Sequence, residues 1–496
     1  MDNKSTEFDR YQLIIKRENI KKNMEKEIKH NNDNSERNNL NFFFAPNSIA
    51  IIGASDSPRF GFWNTKYLLN SKFKTYPVHL YKDKIFGHKA YKTIKNIPDN
   101  IDLAIVIVGN ESVVQVVKEC IDKDVKGIII ETAGFAETGI KKYIKYQDEL
   151  EKILKSSNVR IIGPNCVGVT NFYNEFTSSD VDFSKTVKGN IAIIAQSGVL
   201  GNVFIDWASV GQKIGFSKIV TLGNKIDVDE IDMIEYFEND PDTKVITIYL
   251  EGVKRGNDFI KALKKITKPI IILKNGRSEL GSNAIKSHTG SLAGNDRIFD
   301  AIFKQYPCIF RVENFYEMFN IAQVFATQPL PRGNNVAIIT GSGSIGILAC
   351  DEIERQGLIL AKLREDSIQS MKSVAPDWVS LKNPVDLGPS QMITLNPVLK
   401  AIFNDNNVDS VLFLFTVPRL PLEFLGVSIM PSLRLIKNLS SKLKKPCIIC
   451  VFGSRWVFDF ILKPALRFQI PVMNRVKEAI LALKMMYEYN QFISSQ

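Results

Sequence analysis

Four histidines and six cysteines are spread over 496 residues, and both scarcities narrow the chemistry. Cys120, Cys166, Cys308, Cys350, Cys447 and Cys450 mostly interrupt apolar runs in a long chain, the usage of a reducing compartment and not of a disulfide framework. Cys447 and Cys450 form one CxxC, but Pro446–Cys447–Ile448–Ile449–Cys450–Val451 reads as a buried strand, and no second ligand pair accompanies it, so no metal site is assigned. No uncharged apolar run is long enough to cross a bilayer. The polar amino terminus lacks the apolar segment of a secretory signal, so a cytoplasmic protein without membrane contact is expected. A basic segment interleaved with aromatics is also lacking, so nucleic acid is not an expected partner despite the net charge of +11. That charge fits solvated helix faces, or a groove for a polyanionic small molecule. The first glycine turn, Gly53–Ala54–Ser55, is not a GxGxxG, and no clear acidic residue ends the second strand, which argues against a nicotinamide-dependent dehydrogenase built on that turn.

What the chain does have is a repeated alternation. Apolar content of 45% is ordinary for a globular protein, and the length suggests about three domains. Residues 1–38 are rich in Lys, Glu and Asn and read as a polar extension, a frayed helix or disordered. From Asn39 onward, short Val/Ile-rich runs alternate with helical periods, the pattern of parallel sheets with crossover helices. The fold class expected is α/β, with a Rossmann-type domain over 39–172 and two further α/β domains over 186–328 and 333–494. The last two read as a divergent internal repeat. Ile191–Ala192–Ile193–Ile194–Ala195–Gln196–Ser197–Gly198 parallels Val336–Ala337–Ile338–Ile339–Thr340–Gly341–Ser342–Gly343, and Lys268–Pro269–Ile270–Ile271–Ile272 parallels Lys445–Pro446–Cys447–Ile448–Ile449.

Small-residue turns follow several strands, at the edge where open α/β sheets bind ligands. Ile52–Gly53–Ala54–Ser55 can offer backbone N–H groups to a phosphate, and fits a nucleotide-like ligand and a purely structural turn alike. Gly163–Pro164–Asn165–Cys166–Val167–Gly168 makes a shaped loop in which Asn165 can donate to an acyl or phosphate oxygen, or serve only as a turn. Ser197–Gly198 reads as a helix start: Ser197 caps it, or the helix end faces a phosphoryl group. The most informative stretch is Ser287–His288–Thr289–Gly290–Ser291–Leu292–Ala293–Gly294, which reads as a loop that puts His288 among hydroxyls and glycines. Neutral imidazole is a competent nucleophile toward phosphorus. It needs a carboxylate to fix its tautomer, and Glu251, at the end of an earlier strand in Leu250–Glu251–Gly252, is the candidate.

These motifs, with Asn383–Pro384–Val385–Asp386–Leu387, resemble in their order the ADP-forming acetate–CoA ligases of the succinyl-CoA synthetase superfamily, over roughly residues 40–490. The resemblance implies a CoA-binding Rossmann-type domain followed by two flavodoxin-like, succinyl-CoA synthetase-like domains. It implies that His288 is phosphorylated in turnover and that Glu251 holds it. Gly53, Ala54, Ser55, Lys82, Val108 and Gly109 fall on the CoA-binding surface. Gly163, Asn165, Cys166, Ser197, Gly198, Gly290 and Ser291 fall on the phosphate and acyl site. CoA is then a substrate, together with an acyl group and phosphate. Nothing in the chain resembles an ATP-grasp domain, so ATP or ADP with Mg²⁺ is expected on a β partner, as in a heterotetramer. The chain departs from the family pattern at Val108–Gly109–Asn110 and at His79–Leu80–Tyr81–Lys82, both on the CoA surface. The altered Val108–Gly109–Asn110 loop motivates the alternative of a CoA- or acyl-CoA-binding regulator without turnover; the retained pair of His288 and Glu251 argues against it.

Overall fold

The structure is a computed structural model that describes residues 39–289, 294–426 and 428–495; the extension 1–38 lies outside it, as do Gly290 and Ser291. Its first sheet has five parallel strands, in the order Lys74–Val78, Ser48–Ile52, Leu103–Val106, Gly127–Ile130 and Arg160–Ile162. The three inner strands are almost continuously apolar because both faces are covered. Ala50, Ile52, Ala104 and Val106 pack with Val113, Val117 and Leu150 of the helices Asn110–Asp122 and Lys141–Leu154. Their neighbours Ile49, Ile51, Leu103 and Ile105 point the other way, into a core shared with Ile246 and Ile248 of the second sheet. Phe43 and Phe44, in the short helix Asn41–Phe44, are fully buried in that core. Each contributes about 2–3 kcal/mol of burial, which fastens the start of the described chain.

The second sheet has seven strands: Ile309–Val312, Ile270–Lys274, Val245–Leu250, Val187–Ala195, Gly215–Thr221, Val169–Asn171 and Phe176–Thr177. The first five are parallel. Val169–Asn171 runs antiparallel to Gly215–Thr221. The chain therefore enters the second sheet at Val169, ahead of the boundary expected at 172. An isolated run of three residues carries no signal of which sheet it will join. Arg160 ties the two units together, donating from Nε to Asp227 at 2.9 Å and from Nη2 to Asp232 at 3.0 Å, with its own side chain buried.

The third sheet carries Ile359–Leu360, Asn335–Thr340, Ser410–Phe415, Cys447–Val451 and Val472–Met473 in that order, with Val385–Asp386 also paired to Asn335–Thr340. Sheets two and three share one core. Ile193 and Ile271 on one side, and Ile338, Leu412 and Ile448 on the other, close on the helices Phe315–Thr327 and Val476–Ser494 through Met318, Ala322, Ile480 and Leu483. Two helices thus serve both members of the repeat. None of the helices among the described residues is long and apolar enough to cross a membrane.

Candidate active site

The glycine turn after the first strand is built as expected in place but not in hydrogen bonding. Gly53 has φ +92°, and a Cβ there would lie 2.3 Å from the Ile107 carbonyl oxygen, so only glycine lets this turn press against the next one. Val108 is the next wall, its Cγ1 3.1 Å from that same point. The N–H groups of Gly53 and Ala54 both donate to Val78 O, at 3.0 and 3.3 Å. That of Ser55 donates to Thr65 Oγ1 at 3.2 Å, and that of Ser57 to Ser55 Oγ at 3.2 Å. The backbone donors expected to cradle a phosphate are therefore spent on holding the turn. Two cationic side chains lie beside the turn. Lys82 is ion-paired with Asp56, and Arg59 Nε donates to Ser55 Oγ at 2.9 Å. The loop bearing Lys82 is ordered by His79, whose Nδ1 accepts the N–H groups of Tyr81 and Lys82 at 3.1 Å each. Burial, with the charges of Lys82 and Arg59, lowers the His79 pKa, which favours this neutral acceptor form.

Gly163–Gly168, after the last strand of the first sheet, lies on the loop that ends Gly215–Thr221. The N–H of Asn224 donates to Pro164 O at 2.9 Å, and that of Thr221 donates to Gly168 O at 2.9 Å. Asn165 adopts φ +61° and turns its amide toward Asn224 Oδ1, at 3.4 Å. Asn224 in turn donates to Glu137 Oε2 at 2.6 Å and to Gln147 Oε1 at 3.0 Å. Cys166 is buried, its thiol 3.3 Å from Ile130 O. Burial, together with the nearby Glu131, pushes that thiol far above its ordinary pKa, so it packs as a small apolar group and is no nucleophile.

Glu251 is buried at the end of Val245–Leu250, and Gln196 fixes its loop. Gln196 Oε1 accepts the N–H groups of Glu251 and Gly252 at 2.6 and 3.0 Å, while its Nε2 donates to Gly252 O at 2.7 Å. The buried Lys225 also reaches Gly252 O, at 2.8 Å, and pairs with the buried Glu230 at 2.8 Å. Ser197 does not cap a helix. Gly198–Gly201 forms a single tight 3-10 turn, and Asn202 then takes the cap, accepting the Val203 N–H at 2.6 Å. The winding continues only through Val203–Ile205 and a wide π-type stretch, Asp206–Gly211. That winding begins only after Asn202, so its amino-terminal end is not at Ser197–Gly198, where it was expected.

His288, expected in a loop, stands in the last turn of the helix Glu279–Thr289; its side chain lies outside the described residues. Ser278 starts that helix, with its Oγ 3.1 Å from the Gly281 N–H, and Ile285 is buried beneath it. Polar residues after Ile285 can extend a helix already anchored there, so the hydroxyl- and glycine-rich sequence around His288 did not by itself mark a loop. The helix follows Ile270–Lys274, the strand paired beside the one ending at Glu251, and packs on the turn Ala136–Thr138 of the first unit. The helix that carries His288 thus packs on the Glu137 turn, Asn224 ties that turn to Asn165, and Gln196 fixes the Glu251 loop.

Known proteins match both units. A CoA binding domain matches residues 47–171, and a succinyl-CoA ligase like flavodoxin domain matches 188–325. The chain is 42% identical over 384 residues to the alpha subunit of acetate–CoA ligase [ADP-forming] II of Pyrococcus furiosus, covering 76% of this chain and 83% of that one. The chain belongs to the ADP-forming acetate–CoA ligase family. The alpha subunit of acetate–CoA ligase [ADP-forming] I of the same organism is 34% identical over 475 residues, 91% of this chain and 98% of that one. A dinucleotide-forming acetyl-coenzyme A synthetase 1 of Ca. Korarchaeum cryptofilum, solved with phosphate and ADP, superposes with TM-score 0.83 at 29% identity, over 92% of this chain and 98% of that chain. In this acetate–CoA ligase family member, residues that the motifs alone did not single out hold the site together. Gln196 lay inside a quoted motif but had no assigned task. Arg59, Glu131, Asn224 and Lys225 carry no local pattern and emerge only when the loops meet.

Proposed function

We propose that this chain is the alpha subunit of an ADP-forming acyl-CoA synthetase that interconverts acyl-CoA, ADP and phosphate with a carboxylic acid, CoA and ATP. The observation that carries the reading is the junction itself. The loop Gly163–Asn165 of the unit matched as CoA-binding is hydrogen-bonded to the unit that holds Glu251 and the His288 helix. Phosphate displaces CoA from the acyl thioester, giving an acyl phosphate. His288 then takes the phosphoryl group, the acid leaves, and the phosphohistidine delivers the group to ADP. Glu251 orients the imidazole and offsets the positive charge of the phosphohistidine. Gly53, Ala54, Ser55, Lys82, Val108 and Gly109 form the CoA surface in this reading, and the hydrogen bond from Arg59 to Ser55 Oγ supports including Arg59. Nucleotide and Mg²⁺ belong to an ATP-grasp β partner in a heterotetramer. A histidine carrier suits that division, because it moves the phosphoryl group between sites on two polypeptides. Rate enhancement would come mainly from positioning and from fixed donors aimed at the transferring oxygens.

Incubation of the complex with labelled phosphate and an acyl-CoA should place acid-labile, base-stable label on this chain. His288→Asn should abolish the label and leave CoA binding nearly intact. Undiminished label on His288→Asn, or none on the wild type, would refute the mechanism.

A further inference from the structure

A cavity of about 80 Å³ lies between the first and second units, lined by Arg59, Trp63, Asn64, Glu131, Val167 and Asp180 among others. One end borders the CoA turn, through Arg59 on Ser55 Oγ. The other borders the Ser197–Gly201 turn, because Val167 Cγ2 would lie 2.6 Å from a Cβ at Gly198 and Asn202 also lines the space. Trp63 and Phe60 stand exposed at its mouth. Glu131, the residue after the strand Gly127–Ile130, is only 3% exposed at its wall. Asn64, also buried, is its partner, with Nδ2 at 3.0 and 3.3 Å from the two carboxyl oxygens and a further bond to Ser178 O. No lysine or arginine is ion-paired with Glu131 among the described residues.

We infer that the cavity receives the thioester end of acyl-CoA and that Glu131 is the acid–base residue of the CoA sulfur. This rests on the reading given under Proposed function. A phosphate oxygen attacks the carbonyl carbon, the C–S bond breaks, and its electron pair leaves on sulfur. Sulfur takes the proton of the Glu131 carboxyl, and the carboxylate regains a proton from the hydroxyl of the entering hydrogen phosphate. Acyl-CoA and hydrogen phosphate thus become acyl phosphate and CoA thiol with every proton accounted for. Run in reverse, the carboxylate takes the thiol proton as sulfur attacks the acyl phosphate. Geometry supplies the place, and environment supplies the proton affinity. Burial, then the charge of Asp180, hold the Glu131 carboxyl well above its ordinary range, against the opposing hydrogen bond from Asn64. A carboxyl so raised holds its proton more tightly than an ordinary carboxyl, which suits proton exchange with sulfur.

Glu131→Gln keeps the shape and removes the proton. With the complex, label reaching His288 from phosphate and acetyl-CoA should fall by about 10²-fold or more. Label arriving from ATP through the nucleotide-binding partner involves no sulfur and should keep the wild-type rate, which also shows that the variant is folded. Label from acetyl-CoA at the wild-type rate in Glu131→Gln would overturn the inference. So would an equal fall by both routes, which would mean a structural role. Absence of label by either route in the wild type would instead refute the underlying reading of the reaction.

Discussion

Lys274 is a buried charge at the end of a strand of the second sheet, and its removal gives a signed prediction. It ends the strand Ile270–Lys274 that leads toward the His288 helix and is 1% exposed. Its ammonium donates to Asn275 O and lies 4.8 Å from the Phe299 ring centroid. Burial, helped by Arg311 and opposed by Asp296 and Glu251, brings its pKa from 10.5 down to about 8. A folded value below the unfolded one means that, between those two pH values, the unfolded chain holds a proton that the folded chain has released. Stability therefore rises with pH across that window, by about 3 kcal/mol in all and by about 2.5 kcal/mol between pH 7 and pH 10. Lys274→Met lacks this term, so the stability difference between wild type and variant should move toward the wild type by that amount over the same range. A chain of several cores does not unfold in one step, so the probe must be local. Trp207, packed on Phe319 in the second unit, serves when Trp63, Trp378 and Trp456 are replaced by Phe. Urea unfolding followed through Trp207 at both pH values gives the difference directly. A difference that stays flat with pH, or moves the other way, would refute the account of Lys274 as a buried, destabilised cation.

Other outcomes follow from the same geometry. Gly223 has φ +57°, and a Cβ there would lie 2.1 Å from Pro164 O, so Gly223→Ala should displace the Gly163–Asn165 loop, lower stability by about 2 kcal/mol or more in thermal unfolding, and reduce turnover. Gly53→Ala should weaken CoA binding by about 10-fold or more in calorimetry, because the turn cannot close against Ile107 O, and an unchanged affinity would remove this turn from the CoA surface. Gln196→Ala removes the acceptor of the Glu251 and Gly252 N–H groups and should slow His288 phosphorylation while sparing CoA affinity. Iodoacetamide at neutral pH should modify the half-buried Cys350 before the buried Cys166, Cys447 and Cys450, read by peptide mass.

The sheets were legible because a parallel strand covered on both faces must be apolar throughout, and runs such as Ile270–Leu273 leave little choice. The small-residue turns were legible as turns because a glycine after a strand commonly answers a need of the backbone. What those turns do with their hydrogen bonds was not, since the donors of Gly53, Ala54 and Ser55 are consumed by Val78 and Thr65, residues that no local pattern links to them. The fate of His288 was misread for a related reason. A helix anchored by Ser278 and Ile285 runs through polar residues that would otherwise mark a loop. Val169–Asn171 joined the second sheet through pairing with Gly215–Thr221, a contact at long separation. Glu131 was invisible as a titrating group because its state depends on Asn64 and Asp180, each on a different element.

The repeat shows where the molecule concentrates its chemistry. The same strand-to-turn pattern occurs at Gln196–Ser197–Gly198 and at Gly341–Ser342–Gly343, yet only the latter opens a regular helix, Gly343–Arg355. The difference lies in what the glycines meet. In the third unit, a Cβ at Gly346 would find Pro384 Cβ at 3.3 Å, a tight contact but one that a small shift within the unit can relieve. In the second unit, Cβ atoms at Gly198 and Gly201 would find Val167 Cγ2 at 2.6 Å and Thr221 Cγ2 at 2.7 Å. The bare backbone of that turn is pressed onto the loop between the first and second sheets. A regular helix there would need its own hydrogen bonds and side-chain volume along the same approach. The turn instead gives up regular winding for proximity, which brings Gln196, Glu251 and the Glu131 cavity to one junction. Restoring bulk at Gly198 would therefore act on the chemistry by pushing Val167 into the cavity wall, with little effect on the sheet that carries it.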